Sequence, residues 1–395
     1  MYDIYEIEDS KMRGSLRDWR KALRAPTPYR VGNAVRVQPQ FILLIVIICA
    51  FLSMLFYYNV WTNKLSSHED HRWMNSIRKY NATYPFTSPL ISGDVVTFRI
   101  GLVTDLDTNS KSKAKQNTWI SYYKKGFLTY SPSKNIVFVT WDNEITTLSS
   151  TYSHKGRGME LSELIVYDGR LLTFDDRSGM VFEIKNNKMV PWVILVDGNG
   201  QVEKGFKSEW ATVKDEILYV GSMGKEWTTA GGEFESWDPM WVKAINIHGE
   251  VQHLNWVNQY KAVRSSIDIR WPGYMIHESA VWSPVAQKWH FLPRRCSHEA
   301  YNETRDETMG CNYLITADSN FNSIHAVQIT GHQPKLGFSS FKFIPGTQDE
   351  VIVALKTTEF EGKTATFITS FRTDGTVLLT DTFVEGLKYE GLEFI

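Results

Sequence analysis

The sequence predicts an all-β chain: a five-bladed β-propeller whose N- and C-terminal strands share one blade, preceded by a single transmembrane helix. Three observations predict it. First, a short unit recurs, Ser or Glu with apolar residues two and four places on, which is the period of a strand. It occurs at Ser162 (Leu164, Val166), Glu209 (Ala211, Val213), Glu278 (Ala280, Trp282), Ser339 (Phe341, Phe343) and Glu390 (Leu392, Phe394). Second, the first four copies are followed by a turn and another β-rich run, at residues 171–174, 217–220, 289–292 and 351–355. Copies 47, 69, 61 and 51 residues apart suit units of several strands each, one unit to a blade. Third, an uncharged apolar run precedes all of them.

The first copy sets the pattern. Residues 162–167 alternate as a strand, Asp168-Gly169 supplies the positive-φ pair of a tight hairpin turn, and a second strand ends in the acidic tip Asp175-Asp176. The fifth copy supplies one strand only, beginning at Glu390. The strand expected from Phe98 into Asp105-Leu-Asp107 is its natural partner, and a blade shared in this way closes the ring and removes open edges.

Along the chain, residues 1–40 are polar and mixed in charge and read as a cytosolic tail. Residues 41–61 carry no charge and are long enough for a bilayer core of roughly 30 Å, against the alternatives of a buried helix or a cleaved signal. Lys21, Arg24, Arg30 and Arg36 precede the run, whereas Lys64 and Arg72 beyond it are balanced by Glu69 and Asp70. The positive-inside rule then makes it a signal anchor with a luminal body. Residues 62–97 are a luminal linker, broken by Tyr84-Pro85 and Ser88-Pro89, and residues 98–395 form the propeller. Residues 111–125 are a short helix or a strand connection with a solvated basic face.

Net charge is −1, so nucleic-acid binding has no electrostatic support. Two sequons, Asn81-Ala-Thr83 and Asn302-Glu-Thr304, suit a luminal body. Cys49 lies in the apolar run. Cys296 and Cys311 bracket a polar loop and would pair in an oxidising compartment; the alternative is two free buried thiols.

In a propeller, equivalent positions of successive blades converge on one axis. Glu209, Glu278 and Glu390 would then bring three carboxylates together, with Ser162 and Ser339 adding neutral oxygens. Such carboxylates repel unless a cation lies among them. An all-oxygen set suits Ca²⁺, which tolerates many ligands and irregular geometry, better than Mg²⁺. Taken singly, each of the five reads first as a capping or solvated strand start; five in register favour the metal.

Long blocks of the sequence carry a resemblance. They include Lys155-Gly-Arg-Gly-Met-Glu-Leu-Ser162, Val190-Pro-Trp-Val-Ile-Leu, Glu203-Lys-Gly-Phe-Lys-Ser-Glu209-Trp, Gly224-Lys-Glu-Trp-Thr, Pro272-Gly-Tyr-Met-Ile-His-Glu278-Ser, Gly337-Phe-Ser339-Ser-Phe-Lys-Phe-Ile-Pro and Lys388-Tyr-Glu390-Gly-Leu-Glu-Phe-Ile. Together with Asp105-Leu-Asp107 and Phe291-Leu-Pro-Arg-Arg295, they make roughly residues 80–395 similar to the calcium-activated nucleotidase (apyrase) family. That family includes salivary enzymes of blood-feeding insects and a membrane-anchored endoplasmic reticulum/Golgi enzyme of vertebrates. The resemblance implies a five-bladed propeller with a central Ca²⁺ held at Ser162, Glu209, Glu278, Ser339 and Glu390. It implies hydrolysis of nucleoside di- and triphosphates, UDP and GDP preferred, in support of glycosylation. It also implies homodimers and a single-pass type II membrane protein with a luminal catalytic domain, open to release as a cleaved, secreted form. The Cys296–Cys311 pairing draws no support from it.

Hydrolysis of a phosphoanhydride needs a cation on the phosphoryl oxygens and a base for the attacking water. Asp105 and Asp176, each at a strand end facing the expected mouth, are the catalytic candidates; turn chemistry is the plainer reading of each. Arg157 and Arg177 are candidates for substrate phosphate, with surface solvation the alternative for Arg157. Asp197-Gly-Asn-Gly200 reads as a hairpin turn before a Ca²⁺ loop, and Lys155-Gly-Arg-Gly158 lacks the ending of a P-loop. Two rival functions remain at this level, a propeller glycoside hydrolase and a non-catalytic calcium-binding propeller.

Overall fold

The computed structural model describes residues 30–31, 34–35, 44–58 and 79–395. The chain divides into two compact units, Met1–Lys79 and Tyr80–Ile395. In the first, Arg30–Val31 pairs antiparallel with Ala34–Val35 and residues 44–58 are helical. The rest of the tail expected at residues 1–40, and residues 62–78 of the linker, lie outside the described residues.

The expected transmembrane helix at residues 41–61 is corrected here. Among the described residues, no helix is long and apolar enough to cross a membrane. The membrane as a partner rested on that anchor, as did the type II placement in the endoplasmic reticulum or Golgi. Both are withdrawn with it.

The second unit is a ring of five antiparallel blades, four of them four-stranded and the fifth extended by a short strand, Leu90–Ser92, paired to Val95–Thr104. From the inner strand outward, blade 1 is Leu161–Tyr167, Arg170–Asp175, Met180–Lys185 and Lys188–Ile194. Blade 2 is Trp210–Lys214, Ile217–Gly221, Trp241–Ile245 and Val251–Asn255. Blade 3 is Tyr274–Ser283, Lys288–Ser297, Tyr313–Asp318 and Ile324–Gln328. Blade 4 is Leu336–Phe343, Val351–Phe360, Lys363–Arg372 and Val377–Glu385. In blade 5 the last strand, Tyr389–Phe394, pairs with Val95–Thr104, followed outward by Trp119–Ser131 and Ile136–Ser150. The ring therefore closes by hydrogen bonds between the strands at its two ends.

Turn and core chemistry explain these elements. Asp168 and Gly169 both take positive φ, 50° and 68°, as the first hairpin of blade 1 requires. The inner strands of blades 1, 4 and 5 are buried along their whole length. They face the axis and pack into the apolar layers between blades, so alternation there separates apolar from polar rather than core from solvent. The apolar core falls into five clusters, one at each junction between adjacent blades. The junction of blades 2 and 3 absorbs much of the tryptophan: Trp210, Trp256 and Trp289 pack with centroids 4.9–6.4 Å apart. Residues 111–125 turn out to be a connection that leads into the Trp119–Ser131 strand, after a 3₁₀ turn at Asp107–Ser110. A nine-residue helix, Val257–Ser265, links blades 2 and 3.

Candidate functional site at the propeller hub

Four of the five inner strands break register beside the axial residue. Ladder pairing skips Ser162 between Leu161 and Glu163, Ser339 between Phe338 and Ser340, and Glu390 between Tyr389 and Gly391. It skips Glu278 and Ser279 between His277 and Ala280. Glu209 lies one residue ahead of its strand, its N–H donating to Gly221 O at 2.8 Å. A bulge leaves its extra residue out of the ladder and re-aims the side chain, so four bulges and one strand start turn these five residues toward the hub. The serine hydroxyls tie neighbouring blades together. Ser162 Oγ donates to Ser208 O, and Ser339 Oγ donates to Tyr389 O at 3.2 Å, in each case the carbonyl just before an axial glutamate.

Each axial carboxylate meets a cation. Lys207 Nζ bonds Glu209 and lies 2.6 Å from Asp176 Oδ2. Arg294 Nη1 bonds Glu278 and lies 3.1 Å from Glu390 Oε1, while its Nη2 is 2.9 Å from Glu359. Lys388 Nζ gathers Asp105 at 2.7 Å, Asp107 at 2.9 Å, Glu359 at 3.5 Å and Glu390 at 3.7 Å. Arg157 bonds Glu160 and lies 3.6 Å from Asp107, and Arg177 Nε is 3.9 Å from Glu160. The structure thus places Asp105, Arg157 and Arg177 in one ion-pair network with Glu278 and Glu390, and Asp176 with Glu209 on Lys207.

The acids outnumber the bases. Asp105, Asp107, Glu160, Asp176, Glu209, Glu278, Glu359 and Glu390 face Arg157, Arg177, Lys207, Arg294 and Lys388, a surplus of three acidic groups. Proton affinities register the crowding. Burial, helped by the charges of Glu278 and Asp176, raises Glu209 to about 8 against the pull of Lys207. Burial also lifts Glu390 well above the carboxylate range, with Glu278 and Asp105 adding to it, and raises Glu160 to about 7 against Arg157. At Asp105 burial pushes upward, but Lys388 outweighs it and holds the carboxyl below its ordinary value. Burial opposes the charge on Lys207, which Asp176 and Glu209 nonetheless hold well above its usual range.

These donors fit a hard cation. They are all oxygen, their carboxyl groups outnumber the cations among them, and the buried Asp176 Oδ1 has no hydrogen-bond partner in the protein. Among the described residues, the carboxylates whose oxygens lie within 4.8 Å of one another are Asp105, Asp107 and Glu160, rather than the three axial glutamates that Lys207 and Arg294 hold.

The remaining sequence candidates lie as follows. Cys296 and Cys311 are joined, with Cα atoms 5.0 Å apart. Asn81 and Asn302 are exposed; Asn302 Oδ1 caps the short helix Glu303–Asp306 by accepting from Arg305 N–H. Asp197 turns a hairpin and pairs with Lys204 at 3.1 Å.

Sequence reasoning missed Glu160, Lys207, Lys388, Arg294 and Glu359. A signal for three of them was present. Glu160, Lys207 and Lys388 each precede an axial residue by two positions, and in extended chain i and i+2 share a face.

Comparison with known proteins bears on this hub. A family model described as Apyrase matches residues 106–395. The chain is 50% identical over 331 residues to soluble calcium-activated nucleotidase 1 of Rattus norvegicus, covering 83% of this chain and 82% of that protein. It is 45% identical over 370 residues to an apyrase of Cimex lectularius, covering 93% and 99%. It is 40% identical over 343 residues to apyrase apy-1 of Caenorhabditis elegans, covering 86% and 94%.

Proposed function

This chain belongs to the apyrase family of calcium-activated nucleotidases, and on that premise we propose that its hub hydrolyses nucleoside diphosphates, UDP and GDP foremost, to monophosphate and inorganic phosphate with Ca²⁺ as cofactor. The observation that carries this reading is the surplus of carboxylates over cations where the five inner strands converge. A divalent ion supplies positive charge against that surplus, and the cations of the network remain to meet an anionic diphosphate.

Glu209, Glu278 and Glu390 would hold the ion, with Ser162 and Ser339 completing the set through oxygen atoms. When bound, Ca²⁺ supplies Lewis-acid stabilisation of charge on the phosphoryl oxygens. Arg157 and Arg177 bind the phosphates, since a guanidinium matches phosphate geometry. Both now rest on Glu160, which a phosphate can displace. Asp176 orients the attacking water and takes its proton through Oδ1, the oxygen that Lys207 leaves free. Asp105, kept ionised by Lys388, fixes that lysine beside Glu390 and serves as the second candidate base.

One observation favours a second seat for the ion. Asp105, Asp107 and Glu160 already have their oxygens within 4.8 Å of one another.

The test is phosphate release from UDP, GDP, ADP and the triphosphates, with Ca²⁺ and with chelator. Release that collapses in chelator and falls in Glu278→Gln is expected. Activity undiminished by chelator rejects the reading.

A further inference from the structure

We propose that the loop of residues 297–310, tied at its base by the Cys296–Cys311 bond, forms the nucleobase wall of the mouth, with Tyr301 as its stacking face. This rests on the nucleotidase reading and adds to it the part of the site that meets the base.

The loop stands over the hub because of the strand that carries it. The inner strand of blade 3 starts at Tyr274, four residues before Glu278, which is about 13 Å of extended chain. Tyr274 pairs with Ser297 where the loop leaves the sheet. A nucleoside diphosphate with its terminal phosphate at the axis reaches a comparable distance with its base. Tyr301 lies at that level. Its ring packs edge-on against Tyr274, centroids 5.3 Å apart, and Lys225 Nζ is 4.3 Å from its centroid on one face. The ring remains partly exposed, so a base can take the other face. Burial raises the phenol to about 12, with the charges of Asp306 and Glu303 adding to it and that of Lys207 opposing.

The wall is braced at several points. Cys311 N–H donates to Arg294 O at 3.0 Å, and Cys296 N–H to Met309 O at 2.9 Å, so the bonded pair closes the loop next to the arginine that holds Glu278 and Glu390. Asp306 in the loop accepts from Tyr274 Oη at 2.5 Å and lies 3.7 Å from Arg295. The turn at Gly232 backs the loop from blade 2: a Cβ there would come within 2.9 Å of Tyr301 O. Aromatic stacking accepts any base, which suits an enzyme that cleaves the phosphate end and tolerates several nucleotides.

The experiment compares kcat/KM for UDP with kcat/KM for ribose 5-diphosphate, which keeps the anhydride and lacks the base, in Ca²⁺. In Tyr301→Ala the UDP to ribose 5-diphosphate ratio is expected to fall about tenfold, equivalent to about 1.4 kcal/mol, mostly through KM for UDP. Tyr301→Phe should keep the wild-type ratio, since the ring does the stacking. The Cys296→Ala, Cys311→Ala double variant should lower the ratio as Tyr301→Ala does. An unchanged ratio in Tyr301→Ala, with the wild type active on UDP, overturns the wall alone. An equal fall in Tyr301→Phe overturns stacking in favour of the hydroxyl, and an unchanged ratio in the double variant removes the bond from the assignment. A wild type that cleaves neither compound in Ca²⁺ overturns the nucleotidase reading and the wall with it.

Discussion

Arg294 Nη1 donates to Glu390 Oε1 at 3.1 Å, joining blade 3 to the blade that closes the ring, and the same nitrogen bonds Glu278. Both Arg294 and Glu390 are buried. Removing one partner from such a set leaves charge buried without compensation, at a cost of about 3–5 kcal/mol. Arg294→Met should therefore melt well below the wild type in chelator, and saturating Ca²⁺ should restore more of the loss than it adds to the wild type. Thermal melts with and without Ca²⁺ measure this; equal Ca²⁺ shifts in the two proteins would separate Arg294 from the ion's seat.

Asp176 presents one oxygen to Lys207 and leaves the other without a partner in the protein. General-base assistance contributes about 10²–10⁴ in rate. Asp176→Asn keeps the shape and removes the proton acceptor, so kcat for UDP should fall at least about a hundredfold with KM changed far less. Steady-state kinetics decide it. A fall confined to KM would place Asp176 in binding rather than in proton transfer.

His290 sits in blade 3 with its ring edge-on to Phe343, centroids 5.0 Å apart. Burial lowers its pKa from 6.5 to about 4, with the charge of Lys288 adding to the effect and the Lys288 carbonyl opposing it. As pH falls below 6.5 the unfolded chain takes up this proton first, so folded stability declines until pH reaches about 4. The loss is about 3 kcal/mol over that window. His290→Leu should flatten the fall in denaturation free energy between pH 6.5 and 4 by about that amount. Parallel pH profiles for variant and wild type would contradict it.

Gly391 follows Glu390 directly, and the closing strand there runs against the backbone of blade 1. A Cβ would lie 2.6 Å from the Glu163 carbonyl carbon and 2.6 Å from Leu164 N, and neither backbone atom can swing away. Gly391→Ala should cost about 3 kcal/mol or more, read as a lower urea midpoint at unchanged m-value. A midpoint equal to that of the wild type would mean that the ring opens slightly at no cost.

Much of this architecture can be read from residue order because the constraint is local and repeated. Each axial residue is followed by alternate positions that must be apolar, and this marks Ser162, Glu209, Glu278, Ser339 and Glu390 without coordinates. The shared blade was legible for the same reason: a strand beginning at Glu390 needs a partner, and Val95–Thr104 provides it. The charge network was not. Arg294 and Glu359 reach the hub from second strands, where nothing in the local pattern separates a buried cation from a solvated one. Glu160, Lys207 and Lys388 were legible in principle, two places ahead of their axial partners. The apolar run at residues 41–61 misled because hydropathy alone does not make a spanning helix: among the described residues, no helix is long and apolar enough to cross a membrane. The unit from Tyr80 begins ahead of the expected domain start at residue 98, because Tyr84 Oη donates to Glu393 at 2.9 Å and Thr87 Oγ1 to Ile395 O at 2.7 Å.

The most direct measurement is an anomalous difference map from crystals of the protein grown in Ca²⁺. One peak on the axis, within bonding distance of oxygens from Glu209, Glu278 and Glu390, is the predicted result. A peak among Asp105, Asp107 and Glu160 instead, or none at the hub in an enzyme that Ca²⁺ activates, would contradict it.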